Sequence, residues 1–150
     1  MSLKNEIKQT KKISAYEKGI VNILLTYYMV ENKLTLILSE HNLTMQQYNI
    51  LRILRGVYPG CYSNNEIKER MLHKSADATR LVDRLADKDF VKRSQCKEDR
   101  RRVEISISNK GLDILKDIDK VMPKIESIMS NLDQKEVKKL NTLLEKVRIK

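Results

Sequence analysis

The fold is decided by residues 63–108, which read S-N-N-E-I-K-E-R-M-L (63–72), H-K (73–74), S-A-D-A-T-R-L-V-D-R-L-A-D-K-D-F-V-K-R-S-Q (75–95), C-K-E-D-R-R-R (96–102) and V-E-I-S-I-S (103–108). Ser63 and Glu66 have the spacing of a capping box, in which each side chain satisfies a backbone N–H at the start of a helix. Ser75 is a suitable N-cap for a second helix, and Asp77 in its first turn would complement the helix dipole. The pattern therefore predicts two short helices joined by a tight turn at residues 73–74.

Each predicted helix has one apolar face. In the first helix, Ile67, Met71 and Leu72 are expected to face inward. In the second helix the expected buried residues are Ala78, Leu81, Val82 and Leu85, and the expected exposed residues are Ser75, Ala76, Thr79, Arg80 and Asp83. Small residues allow close approach to a DNA groove, threonine can contact a thymine methyl, and arginine can bond guanine bidentately. The candidates for base contact are Ser75, Ala76, Thr79 and Arg80, although an ordinary solvated helix face has a similar pattern.

Two short strands follow, with a basic tip between them. Val103, Ile105 and Ile107 alternate with polar residues, as in a half-buried strand. The tip carries four cations against two anions: Lys97, Arg100, Arg101 and Arg102 against Glu98 and Asp99. Directly after two helices, such a tip favours a wing that binds phosphates or enters the minor groove. We therefore predict a mainly α winged helix-turn-helix with a small β-hairpin wing, and Arg84 is a further DNA-binding candidate.

This stretch resembles the MarR family of bacterial transcriptional regulators. The family pattern has a helix with a serine followed by T-R-L-V-D-R-L, a short strand, and then D-R-R-x-V-x-V-x-L-T-x-x-G. The matching positions are Ser75, residues 79–85 and 99–101, Val103, Ile105, residues 107–108 and Gly111. The resemblance implies that Arg101 is the wing-tip arginine and that Asp99 helps to hold the tip in shape. Asp89 replaces the family's glycine at the end of the second helix, where aspartate tolerates a left-handed backbone better than most residues. Ala78 stands where the family often has a larger aliphatic residue.

The rest of the chain has the pattern of a helical scaffold. Apolar residues recur at helical spacing over residues 13–40 and again over residues 109–150, where Pro123 interrupts them and Asp133 starts a last helix. Thr44 and Gln47 form another predicted capping box, in front of a helix that ends at the turn of residues 58–60. We expect one domain over residues 1–150, with a DNA-binding lobe at residues 43–108. The resemblance implies a homodimer through the helices at both chain ends.

The composition favours a polyanionic partner. The 150 residues carry a formal net charge of +10 with a pI near 9.6, which fits double-stranded DNA. No apolar run approaches the roughly 18 residues that a membrane span needs, and no signal peptide is recognisable. We expect a cytoplasmic protein that has no membrane partner.

Enzymatic and metal sites have little support in the sequence. His41 and His73 each lie in a predicted turn, Cys61 and Cys96 lack metal-binding spacing, and no cofactor-binding motif is present. Cys96 adjoins Lys92, Arg93 and Lys97, and nearby cations lower the pKa of a thiol. One hypothesis is therefore that oxidation of Cys96 disturbs the wing, and the alternative is an inert thiol.

The resemblance also implies an effector site for small aromatic ligands, between the dimer helices and the DNA-binding lobe. Candidates to line it are Tyr27, Tyr28, Met29 and Tyr48, although such residues at helical spacing are also typical of a core. The function that we predict is a sequence-specific, ligand-responsive repressor that binds a pseudo-palindromic operator as a homodimer. The alternatives are a non-specific architectural DNA-binding protein and a winged-helix protein-interaction module.

Overall fold

Seven α-helices, one short 3₁₀ turn and one hairpin account for the regular structure of the described residues. The computed structural model describes residues 13–74, 76–95 and 103–149, and the structural statements below refer to these. In chain order the elements are α1 (Ala15–Glu40), α2 (Met45–Val57), α3 (Asn64–Arg70), α4 (Ala78–Asp87), β1 (Val91–Gln95), β2 (Val103–Ile107), α5 (Asn109–Val121), α6 (Pro123–Glu126), a 3₁₀ turn (Ser127–Met129) and α7 (Gln134–Arg148). The predicted order of a long helix, a winged helix-turn-helix and further helices is confirmed.

Three capping boxes fix where helices begin, as the sequence predicted for Thr44 and Ser63. The Thr44 N–H donates to Gln47 Oε1 at 3.1 Å, and the Gln47 N–H donates to Thr44 Oγ1 at 3.2 Å. Ser63 and Glu66 repeat this exchange at the start of α3. Asp133 is the N-cap of α7, as predicted, and it completes the third box. Each box satisfies backbone donors that would otherwise lack partners.

The predicted start of α4 was wrong by two residues. Asp77, not Ser75, is the N-cap, and its Oδ1 accepts a hydrogen bond of 3.1 Å from the Arg80 N–H. Aspartate caps as well as serine does, and its charge also complements the helix dipole. The later start leaves Ala76 outside the helix, where it packs partly buried against the core.

One apolar core fills the winged lobe, with α2 at its centre. α2 packs against α1, α3, α4, α5 and β2. The side chains that are less than 2% exposed come from most elements of this lobe and from the adjoining helices: Leu38, Ile50, Leu51, Leu54, Ile67, Met71, Val82, Leu85, Ile105, Leu115 and Ile118. The buried stripe predicted for α4 is confirmed for Ala78, Val82 and Leu85, whereas Leu81 is half-buried.

Leu72 does not face inward, contrary to the prediction. Its side chain is 79% exposed, whereas that of Met71 is 1% exposed. The reason is that α3 ends at Arg70 and the backbone of Met71 is extended, so the helical spacing no longer applies at residue 72. The Leu72 N–H donates instead to Asn49 Oδ1 of α2, at 2.9 Å.

The hairpin is a two-stranded antiparallel sheet anchored in the core. Val91 pairs with Ile107 and Gln95 pairs with Val103. Ile105 and Ile107 are buried, but Val103 is 42% exposed because it lies at the end of the hairpin away from the core. On the other edge of β2, Tyr62 exchanges two backbone hydrogen bonds with Ile105, at 2.9 and 2.8 Å. The base of the wing is therefore held on both sides.

A tight joint connects the end of α4 to the start of α5. Asp89 has a φ of 60°, the left-handed conformation that the resemblance implied for this position. Ser108 Oγ donates to the Asp89 carbonyl at 2.6 Å and accepts from the Gly111 N–H at 3.0 Å. A Cβ atom on Gly111 would lie 2.2 Å from the Phe90 carbonyl oxygen. Only glycine allows this approach, so position 111 fixes how α5 packs against the end of α4.

The helices outside the lobe bury few residues. On α1 only Leu38 is buried, and on α7 no residue is. The interruption predicted at Pro123 is confirmed, since α5 ends at Val121 and a new helix begins with the proline. No helix in the described ranges is both long and apolar enough to span a bilayer.

Candidate DNA-binding surface

The first turn of α4 presents two of the predicted base-contacting side chains to solvent. Thr79 and Arg80 are both exposed, directly after the Asp77 cap. Ala76 is half-buried in the preceding turn, yet it borders the same surface cavity of about 350 Å³ as Thr79. Among the described candidates, the structure thus brings Ala76, Thr79 and Arg80 together at one end of the helix.

Arg84 lies one helical turn beyond Arg80 and is exposed. It borders a broad cleft of about 1110 Å³ between the end of α4, the turn after α1, and α5. The cleft also contains Asp117, and a hydrogen bond from Lys120 lowers the pKa of this carboxyl. Because Arg80 and Arg84 are four residues apart, they place two positive charges along the same face of α4.

An ion pair between Asp83 and Arg93 connects α4 to the first strand of the hairpin. The two side chains are 49% and 37% exposed, respectively. The sequence placed Asp83 on the outward face and named Arg93 only as a cation near Cys96, so the pair itself was not predicted. Because the pair joins α4 to β1, it helps to fix the orientation of the wing strand relative to the exposed face of α4.

Two residues of this surface were missed from the sequence. Asn65 and Lys68 of α3 border the cavity next to Thr79, and Lys68 is exposed. A signal was available, because both are polar residues outside the buried position of Ile67 in this short helix. The sequence did not predict them, because the orientation of α3 relative to α4 depends on tertiary packing.

Seven of the predicted site residues lie outside the described residues: Ser75, Cys96, Lys97, Asp99, Arg100, Arg101 and Arg102. The strands on either side of residues 96–102 are described, and their last pair is Gln95 with Val103. The roles proposed for these seven residues remain predictions.

The four predicted effector residues lie on two helices, α1 and α2. Tyr48 is 8% exposed and borders a groove of about 360 Å³ with Leu34, Met45, Asn49, Arg52, Ile53 and Leu72. Tyr27, Tyr28 and Met29 are 42%, 57% and 46% exposed on α1. The Tyr27 hydroxyl donates to Glu31 Oε1 at 2.6 Å, and this hydrogen bond raises the pKa of Tyr27.

The histidines lie in turns, as predicted. His41 caps the end of α1, and His73 lies between α3 and α4. Cys61 is half-buried before Tyr62. Within the described ranges, no group of three or more His, Cys, Asp or Glu side chains is arranged to hold a metal ion.

Comparisons with known proteins agree with this geometry. The family model described as MarR family matches residues 43–103. The HTH-type transcriptional regulator MgrA of Staphylococcus aureus is 30% identical over 111 residues, which cover 74% of each chain. A MarR transcription factor from Planctomyces limnophilus has 32% identity and a TM-score of 0.69, covering 90% of this chain and 98% of that chain. A mutant MarR from E. coli, solved in complex with operator DNA, has 28% identity and a TM-score of 0.72, covering 91% of this chain and all (100%) of that chain. The chain therefore belongs to the MarR family of DNA-binding winged-helix transcription regulators.

Proposed function

We propose that this protein is a sequence-specific repressor, which binds a pseudo-palindromic operator as a homodimer and leaves it when a small aromatic ligand binds. The observation that carries the proposal is the exposed first turn of α4, where Thr79 and Arg80 stand clear of the core. Side chains at the start of a recognition helix reach the base edges in the major groove. Arg80 would bond guanine and Thr79 would contact a thymine methyl or a base edge.

Phosphate contacts would come from cations beside this helix. Arg84 extends the line of Arg80, and the predicted wing cations are Lys97, Arg100, Arg101 and Arg102, with Asp99 supporting the tip. Such contacts fix the orientation of the protein on DNA without reading sequence. The formal net charge of +10 supports binding to DNA phosphates.

The exposed apolar side chains of α1 and α7 support the homodimer. On α1 they recur at helical spacing: Tyr16, Ile20, Ile23, Leu24 and Tyr27 are between 42% and 88% exposed. On α7, Leu143 and Val147 are 51% and 70% exposed. Covering one large apolar side chain is worth roughly 1.5–3 kcal/mol. A second copy would bury both faces and set two α4 helices about one helical turn of DNA apart, roughly 34–36 Å.

The groove beside Tyr48 supports a ligand-responsive mechanism. The Arg52 guanidinium donates to the Tyr48 hydroxyl at 3.0 Å, and that hydroxyl lies 3.8 Å from Met122 Sδ, at the junction of α5 and α6. Tyr48 thus connects the winged lobe to the C-terminal helices. A ligand in this groove would change that contact and shift the population away from the form that binds DNA. In a dimer, Tyr27, Tyr28 and Met29 would approach the site from α1.

Binding to whole and half operators tests the central part of this proposal. The probes are the DNA upstream of the protein's own gene, a duplex with one half-site, and a scrambled duplex. We expect two protomers on the whole site, much weaker binding to the half-site, and transcription in vitro that falls as the operator fills. One protomer per site would contradict the dimer, and equal binding to all three duplexes would favour the architectural alternative.

Simple aromatic compounds test the ligand-responsive part. Phenol and benzoate are expected to lower the affinity for the operator, and substitution of Tyr48 by alanine is expected to remove this effect. If neither compound changes DNA binding at millimolar concentration, the proposed response to small aromatic ligands is wrong.

A further inference from the structure

We propose that Lys68 and Asn65 of α3 form a seat for one DNA phosphodiester, next to the first turn of α4. The proposal rests on the proposed function, because it assumes that α4 enters a DNA groove. It adds a contact on the side of α4 opposite the wing. The seat would bind the phosphate backbone on one side of the groove, and the wing would bind the backbone on the other side.

The position of the seat follows from two adjoining cavities. One, of about 350 Å³, is bordered by Asn65 and Lys68 together with Ala76, Asp77 and Thr79. The other, of about 370 Å³, is bordered by Asn65 and Lys68 together with Glu69 and Lys74. Asn65 and Lys68 border both cavities, so they form the ridge between the α3–α4 turn and the start of α4. Because Thr79 borders one of these cavities, the ridge lies directly beside the base-contacting surface.

The cations near this ridge differ in what they already bind. The Lys74 ammonium donates to the Glu69 carbonyl. The Arg70 guanidinium lies 4.2 Å above the Tyr62 ring and donates to the Glu66 carbonyl at 2.9 Å. Lys68 has no hydrogen-bond or ion-pair partner among the described residues. Lys68 is therefore the cation of α3 that is left to bind an external anion.

The chemistry of the ridge suits a phosphodiester better than a base edge. Lysine is a compact point charge that binds phosphate without the bidentate geometry of arginine. The Asn65 amide can donate to a phosphate oxygen beside it. In helix-turn-helix proteins the first helix crosses the DNA backbone, whereas the second reads the bases. α4 packs between α3 and β1, so contacts from these two elements would bracket the groove.

Salt-dependent binding of matched lysine variants tests the seat. Lys68→Ala and Lys74→Ala remove the same charge from exposed side chains six positions apart. Fluorescence anisotropy would measure the affinity of both variants and the wild type for upstream and scrambled duplexes between 50 and about 300 mM salt. Each phosphate contact contributes about 0.9 to the slope of log K against log salt concentration, or about 5-fold in affinity at 0.15 M salt.

We expect Lys68→Ala to weaken binding to both duplexes by the same factor, about 5-fold per protomer, and to make the salt slope shallower by about 0.9 per protomer. Asn65→Ala is expected to weaken both by a smaller factor, and Lys74→Ala, whose ammonium is already held by the Glu69 carbonyl, should have a clearly smaller effect than Lys68→Ala. Equal affinities and slopes for Lys68→Ala and the wild type would overturn the seat, as would an equal loss in Lys74→Ala. A loss confined to the upstream duplex would make Lys68 a base reader and would also overturn it. These outcomes differ from failure of the proposed function, in which the wild type itself would bind neither duplex or bind both equally.

Discussion

Substitution of Gly111 by alanine tests how the end of α4 is held. The added Cβ would lie 2.2 Å from the Phe90 carbonyl oxygen and 2.8 Å from Ile107 Cγ1, whereas ordinary contact begins at 3.4 Å. Neither neighbour moves easily, because Phe90 is part of the joint after α4 and Ile107 belongs to the buried face of β2. The strands or α5 would have to shift by roughly 1 Å in a close-packed core.

The expected loss of stability is about 2–3 kcal/mol, near the upper end for overpacking by one methyl group. Alanine recovers little of this through helix propensity, because Gly111 lies in the first turn of α5. For a chain of this size, the loss corresponds to a fall in Tm of about 4–12 °C. DNA affinity should fall as well, since the same joint positions the end of α4.

Gly56→Ala is the matched control for this prediction. Gly56 lies in α2, and a Cβ there would meet nothing within 4 Å. Alanine should therefore raise stability by about 0.5 kcal/mol or slightly more through its helix propensity. Thermal melts at one fixed protein concentration compare the two variants with the wild type. If the Tm of Gly111→Ala equals that of the wild type or of Gly56→Ala, the proposed tight packing at this joint is wrong.

Four further substitutions test the DNA-binding surface by anisotropy. Arg101→Ala should weaken binding to all sequences and make the salt slope shallower, and unchanged affinity would contradict the wing assignment. Arg80→Ala should relax specificity at about one base pair per half-site, at a cost of roughly 1–3 kcal/mol, and an unchanged base preference would remove Arg80 from the base-reading set. Arg93→Gln and Asp83→Asn should each change stability by less than about 1 kcal/mol, because the pair is exposed, and both should weaken DNA binding if the pair orients the wing. If Asp83→Asn instead strengthens binding, the aspartate acts only as a repelling charge.

The sequence predicted the elements whose signals are local. The capping boxes at Thr44 and Ser63 were predictable because each is completed within three residues. The left-handed residue at Asp89 followed from the resemblance, and the structure adds a physical reason for Gly111 of the same motif. That reason is the close approach of α5 to the Phe90 carbonyl, which no local pattern encodes.

The errors arose where local signals were ambiguous. Ser75 and Asp77 are both good N-caps, and the sequence alone does not decide between them. Leu72 continued the apolar spacing of α3, but nothing in the local sequence marks Arg70 as the last helical residue. Tertiary packing decides both cases.

Contacts between distant parts of the chain were not predictable from the sequence. The Asp83–Arg93 pair, the bridge from Tyr62 to Ile105 and the ion pair of Arg55 with Asp119 at 2.5 Å all depend on how the elements pack. The same limit explains why Lys68 was missed. Its position beside the first turn of α4 depends on how α3 packs against that helix.

A salt titration of binding to the DNA upstream of the protein's own gene, beside a scrambled duplex of equal length, shows directly whether the protein recognises a specific sequence. We expect the upstream DNA to bind at least about 10³-fold more tightly at physiological salt, as sequence-specific regulators do. Equal affinity for the two duplexes, with the same steep salt dependence, would contradict specific recognition by this protein at that site.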